Sequence, residues 1–176
     1  SLAIRLKQLG PNHSDVANSY NNIGGVHRAE GEYDEALEYL QKSLAIMLKQ
    51  LGPDHPDVAT SYNNIGQVYE AEGEYDEALE YLQKSLAIML KQLRPDHPSL
   101  ALSYNNIGGV HVAKGEYGKA LKYHQKSLAI MLKTLGPNHP NVAMSYSNIA
   151  FVLAEKESPD FPQAHQLVDR SEAILI

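Results

Sequence analysis

The chain contains no cysteine, which excludes a disulfide framework, a thiolate metal site and a cysteine nucleophile. That usage fits a reducing compartment, and a cytoplasmic location is expected. No apolar run approaches the ~18–20 residues that a membrane-spanning helix needs. Positive charge is scarce too: 15 Lys and Arg against 21 Asp and Glu leave a formal charge of −6. A phosphate-binding surface needs a concentrated basic stripe, so neither nucleic acid nor a membrane is an expected partner. Catalytic signatures are missing as well. No glycine-rich phosphate loop follows a strand, and no serine sits at a strand-to-helix elbow. No catalytic residue and no cofactor is therefore assigned, and the chain reads as a non-enzyme. With 43% apolar residues, the composition is that of a folded chain.

What the chain does have is repetition. The phrase Ser61-Tyr62-Asn63-Asn64-Ile65-Gly66, continuing to Ala71-Glu72-Gly73-Glu74-Tyr75-Asp76-Glu77-Ala78, recurs with its tyrosine at Tyr20, Tyr104 and, degraded, Tyr146. Each start lies 42 residues after the last. Residues 11–52 and 53–94 agree at about 35 positions of 42, and 53–94 and 95–136 at about 29. A fixed period of roughly 20–50 residues marks a stacked array, in which each unit buries its apolar face against its neighbours. The expected organisation is one array over 1–176: a half repeat at 1–10 made of helix B alone, repeats at 11–52, 53–94 and 95–136, and a divergent terminal repeat at 137–176. Residues 1–10 match 43–52 except for Arg5 in place of Met47, so the chain reads as a piece of a longer array.

Each repeat reads as two helices. In the second, Val58, Ala59, Tyr62, Ile65, Gly66, Val68 and Tyr69 recur at three- and four-residue steps, the spacing of one helix face. Pro56 suits a first turn, with His55 or Asp54 as N-cap, and Gly73 suits a left-handed stop. Helix B is expected from about Tyr75 to Leu93. Its acidic first turns (Glu74, Asp76, Glu77, Glu80) and later Lys84 and Lys91 complement the helix dipole. Gly52-Pro53 and Gly136-Pro137 end their B helices abruptly, whereas Arg94-Pro95 breaks that pattern. If Arg94 had to take a positive φ, the cost would be roughly 1 kcal/mol.

Tyr62-x-x-Ile65-Gly66-x-x-Tyr69-x-x-x-Gly73-x-Tyr75-x-x-Ala78 resembles the tetratricopeptide repeat pattern. The phrase Leu51–Ala59 followed by Asn63-Asn64 resembles the repeats of kinesin light chains and related 42-residue arrays, over essentially the whole chain. The resemblance implies an all-α, right-handed α-solenoid that binds protein: a peptide or a helix held in a concave groove lined by the A helices. In that family the groove positions fall two before and one, five and eight after the residue at Tyr62. They are Asn18, Asn21, Gly25 and Arg28 in the first repeat, and Thr60, Asn63, Gln67 and Glu70 in the second. Leu102, Asn105, Gly109 and Val112 follow in the third, and Met144, Ser147, Phe151 and Ala154 in the last. The lining is polar in the early repeats and apolar in the late ones. Asparagine amides pair with a peptide backbone as donor and acceptor, so Asn21, Asn63 and Asn105 are expected to touch the partner. Asn22, Asn64, Asn106 and Asn148 form a second column, expected to cap or bridge neighbouring helices. Kinesin light chains hold acidic peptides with basic groove residues. Here Arg28 is the one clear basic residue, and Glu70 stands at its counterpart with the opposite sign.

His13, His55, His97 and His139 also recur at 42 residues. Metal ligands must converge on one ion and a ladder does not, so helix capping or loop packing is expected and no metal is assigned. His27 and His111 take the place of Tyr69 and are expected to fill space between helices. Relative to the second repeat, the third turns Glu72, Glu77 and Glu80 into Lys114, Lys119 and Lys122, a contrast that favours head-to-tail contact between molecules at low salt. The leading helix 1–9 must lie on the first repeat or exchange with another chain. Ser158-Pro159-Asp160-Phe161-Pro162 adds two residues before the last helix, which keeps apolar Leu167, Val168, Ile174, Leu175 and Ile176. Uncovered apolar ends invite stacking or swapping. The alternative to groove binding is therefore a self-assembling array, a homo-oligomer joined end to end or through its terminal helices.

Overall fold

The computed structural model describes residues 2–156 and 159–175. Ser1 of the leading segment, Ser158 of the inserted loop and Ile176 of the last apolar set lie outside the described residues. All regular structure among the described residues is helical, and the chain forms two compact units, 1–92 and 93–176.

The first unit holds α1 (Leu2–Leu9), α2 (Ser14–Glu30), α3 (Tyr33–Leu51), α4 (Pro56–Glu72) and α5 (Tyr75–Gln92). The A helices α2 and α4 start on histidine. His13 and His55 keep extended backbone, and each Nδ1 accepts the N–H of the residue two further on, Asp15 and Asp57, at 3.1 Å. The ring supplies the acceptor that Ser or Asp usually gives at this position. At the far end Gly73 takes φ 90°, and the returning backbone caps the carbonyls of Tyr69 and Glu70. A side chain there would be strained.

Packing follows from small residues where helices cross. A Cβ on Gly66 would lie 2.9 Å from Leu82 Cγ and 3.2 Å from the Ala78 carbonyl oxygen; one on Gly24 would lie 2.7 Å from Leu40 Cγ. That closeness seals α2 on α3 and α4 on α5. Buried Val16, Ala17, Ile46, Met47, Val58, Ala59 and Ile88 form one cluster, and Ala36, Leu40, Ile65 and Val68 a second beside it. Leu2 and Leu6 of α1 join the first cluster. Arg5, standing where later repeats have methionine, donates to the Asp15 carbonyl at 3.2 Å and to Ser19 Oγ at 2.6 Å. The leading helix thus lies on α2 of its own chain. The A and B helices are also clipped by cations over paired tyrosines: Lys42 Nζ sits 6.0 and 5.3 Å from the Tyr20 and Tyr39 rings, and Lys84 5.8 and 5.0 Å from Tyr62 and Tyr81.

No residue other than glycine has positive φ among the described residues, so Arg94 carries no such strain. Instead α5 stops at Gln92, one residue short of the position that α3 reaches at Leu51.

The second unit holds α6 (Pro98–Ala113), α7 (Tyr117–Leu135), α8 (Pro140–Glu155) and α9 (Phe161–Leu175). His97 and His139 cap α6 and α8 as His13 and His55 do above. Ile149, Ala150, Leu153 and Ala164 form one cluster of its core, with Leu121, Leu128 and Leu167 packed against them.

Candidate functional site

In the first unit the family's groove positions fall on α2 and α4. Asn21, Gly25 and Arg28 line a recess of about 430 Å³, together with Asn22, Val26, Ala29, Glu30, Leu40 and Asn64. Gly25 makes that room: a Cβ there would meet nothing within 4 Å. Asn64 Nδ2 donates to Asn21 Oδ1 at 2.9 Å, fixing one A helix against the next. Arg28 Nη1 donates to Gln67 Oε1. Burial pushes the half-buried Glu70 carboxyl upward, and the nearby Arg28 guanidinium pulls it back. The single groove arginine is therefore engaged by Gln67 and faces Glu70, and an incoming acidic residue would meet a partly compensated charge. Asn18 and Thr60 are exposed at the same face, the Thr60 hydroxyl donating back to the Pro56 carbonyl at 3.3 Å. Asn63 is half-buried.

The corresponding face of the second unit is apolar. Leu102 is 57% exposed, Met144 64% and Phe151 51%, large hydrophobic side chains held in water at helix positions where solvent-facing residues are ordinarily polar. Val112 is half-buried and Gly109 adds no side chain. Asn148 Nδ2 donates to Asn105 Oδ1 at 3.0 Å, repeating the bridge of the first unit. Ser147 is exposed, and its hydroxyl lies 2.9 Å from that of Ser171 on α9.

Both bridges place a second-column asparagine on a first-column one, so Asn64 and Asn148 link neighbouring A helices as expected. Each bridge occupies one lone pair of the Asn21 or Asn105 oxygen, and the amide nitrogens of both remain as candidate partner contacts. His27 and His111 stack on Tyr39 and Tyr123 at 5.3 and 5.4 Å, as Tyr69 does on Tyr81 at 5.5 Å.

Two features escaped sequence reasoning. His124 is buried and bonded to Asn105, its Nδ1 3.1 Å from that oxygen; burial lowers its pKa. Its signal was available, since Leu40 and Leu82 hold this position in the earlier repeats. The other is a cluster of His27, Glu30 and Glu32, whose ligating atoms lie within 4.8 Å of one another. His27 Nδ1 is bonded to Glu32 Oε2 at 2.5 Å, and both carboxylates are exposed, the arrangement of an ordinary side-chain hydrogen bond at a helix end.

On the α7 side of the second unit, Lys119, Lys122 and Lys156 surround a recess of about 590 Å³ with Glu116, Tyr117 and Gly118. Lys119, by hydrogen bond, and then His111 hold the Glu116 carboxyl below its ordinary range.

The tetratricopeptide repeat profile matches residues 1–49, 15–91, 71–130 and 99–176. Comparison with curated proteins gives no match. Among solved structures, the chain is similar to the nearly identical TPR-like repeats of a Podosopora anserina protein assigned as a kinesin light chain. The two are 29% identical over 99% of this chain and 82% of that one, with a TM-score of 0.82. BtubC (BKLC) from P. vanneervenii shares the fold at 22% identity, over 98% of this chain and 68% of that one, with a TM-score of 0.87. MamA shares it at 19% identity, over 99% and 84%, with a TM-score of 0.70.

Proposed function

The chain belongs to the tetratricopeptide repeat family, an all-α solenoid class of protein-interaction scaffolds, and from that premise we propose that its A-helix faces hold an extended peptide or a helix of a partner protein. The observation that carries this reading is the exposed apolar set Leu102, Met144 and Phe151. Three large side chains on one face of α6 and α8 remain in water at a recurrent loss of roughly 25 cal/mol per Å² of coverable apolar surface. They lie beside an amide bridge that leaves N–H groups for a backbone. In the first unit the same role falls to Asn18, Asn21, Thr60, Asn63 and Gln67 around the recess at Gly25, with Arg28 and Glu70 setting its charge. In the second it falls to Asn105, Val112 and Ser147 beside the apolar set.

The test is selection of linear peptides from a random displayed library on the full chain, followed by titration of the winners. Met144→Ser with Phe151→Ser, both exposed, should weaken binding at least tenfold at unchanged helicity, while Glu35→Gln on the first turn of α3 should leave it alone. Binders indifferent to the first pair and to Gly25→Trp would remove the groove from consideration.

A second reading is favoured by the lysine recess. The first turns of α3 and α5 are acidic, with Asp34 and Glu35 and with Asp76 and Glu77. That of α7 has no acid and carries Lys119. An acidic B-helix start of one copy and the Lys119–Lys122–Lys156 recess of another are complementary, which supports head-to-tail association of like chains.

A further inference from the structure

Within the second unit one substitution changes chemistry rather than size. His124 stands where Leu40 and Leu82 pack in the first two repeats, and it is 3% exposed. Its ring lies flat against the crossing point of α6 and α7. A Cβ on Gly108 would be 2.8 Å from Cε1, 2.9 Å from Nδ1 and 3.0 Å from Nε2. A polar ring at that depth requires a hydrogen-bond partner. It has one in Asn105 Oδ1, 3.1 Å from Nδ1, and that same oxygen accepts from Asn148 Nδ2 at 3.0 Å. An amide oxygen has two lone pairs, so two donors occupy it fully. In the first unit Asn21 Oδ1 accepts from Asn64, and the residue at the histidine's position is Leu40, which has no donor.

We propose that His124 is a positioning residue for the partner-binding face of α6: its Nδ1–H, with Asn148, locks the Asn105 oxygen inward and turns the Nδ2 N–H pair outward, so this face selects partner segments that present an oxygen acceptor such as a free backbone carbonyl. This rests on the groove reading above and narrows it. The first unit's amide, held from one side, is less committed to either polarity; the second unit's is a donor. That donor is discriminating because an N–H pair left unmatched under an apolar partner loses its water. Burial lowers the His124 pKa, so the neutral ring is favoured over the imidazolium.

The sign of the pH dependence follows. The folded chain disfavours the imidazolium, so the unfolded state takes up the proton first as pH falls past about 6.5. Stability contributed by neutral His124 is present above that pH and is lost below it until the depressed folded value is reached.

The experiment uses the full chain labelled with ¹⁵N. A long-range ¹H–¹⁵N spectrum at pH 7.5 should show Nδ1 protonated and Nε2 bare. The opposite tautomer overturns the proposal, because Asn105 would then have to donate to the ring and face its oxygen outward. His124→Leu recreates the Leu82 packing over Gly66, so the variant should fold; it should lose the part of the acid-side fall in urea midpoint that native protein shows between pH 7 and 5.5. An oligoproline peptide, which offers carbonyls and almost no N–H groups, should shift the Asn105 side-chain amide signals of native protein, and His124→Leu should bind it several-fold more weakly. Equal binding by the variant refutes the positioning role. Absence of any peptide-induced shift on α2, α4, α6 and α8 would instead refute groove binding, with the tautomer still deciding the inference about His124.

Discussion

Two glycines, Gly25 and Gly66, show how one residue type serves opposite ends on the A helices. Gly66 is where α4 touches α5: an added methyl would press on Leu82 and on the Ala78 carbonyl, and overpacking of this kind costs about 1–3 kcal/mol. Gly25 faces open space at the recess of the first unit. Alanine there should stabilise α2 by about 0.5–1 kcal/mol, the conformational penalty of an unconstrained helical glycine. Urea unfolding followed by circular dichroism should therefore move the midpoint down for Gly66→Ala and up for Gly25→Ala. Two shifts of the same sign would mean that the close crossing of α4 and α5 is misplaced. A glycine kept at position 25 against this intrinsic gain is what a site needing bare backbone requires.

At the scale of the element, each A helix is started by a histidine, an uncommon cap among the short polar side chains that usually serve. The neutral ring works because Nδ1 carries a lone pair at the right reach for the N–H two residues on, at 3.1 Å for His13, His55 and His139 and 3.2 Å for His97. His55→Ala removes the acceptor and should lower stability by about 1 kcal/mol, whereas His55→Ser restores one and should recover most of it. Equal unfolding midpoints for the two variants would show that the ring acts by loop packing and not by capping. The capping role was one of two readings open from the 42-residue spacing. Spacing says that four histidines are equivalent, and only the local backbone direction says to what they bond.

For the whole molecule, charge is the property that separates the two units. Glutamates at 72, 77 and 80 have lysine counterparts at 114, 119 and 122, and Lys119 and Lys122 line the recess with Lys156. If like chains associate head to tail, mass measured by light scattering should rise with concentration at low salt. It should fall back to the monomer as ionic strength passes about 0.1 M, where the screening length shortens to ~10 Å. Lys119→Glu with Lys122→Glu should abolish the rise. A constant monomer mass at low salt would leave these lysines as an exposed, solvated face.

The sequence by itself determined the helices, their pairing and most of their ends. Positions 42 residues apart repeat the same local code of cap, small crossing residue and left-handed glycine, and each of these is settled by its own turn of backbone. The helix positions of the candidate binding residues came from the resemblance to the family, and a helical period fixes which of them share a face. The sequence could not tell which of those residues already have partners. Asn21 and Asn105 share a face with Asn18 and Leu102, yet their oxygens accept from amides 43 positions further along, and Arg28 is held by Gln67 from 39 positions away. His124 and Arg94 make the same point from opposite sides. The leucine-to-histidine change at 124 drew no reading from the sequence, and its partner Asn105 lies 3.1 Å away on another helix; the glycine-to-arginine change at 94 raised the question of strain, and the helix ends early instead. The reason is common to all of them: periodicity constrains direction from a helix axis, while hydrogen bonds and compensated charge depend on the distance between side chains on different helices, which only packing sets.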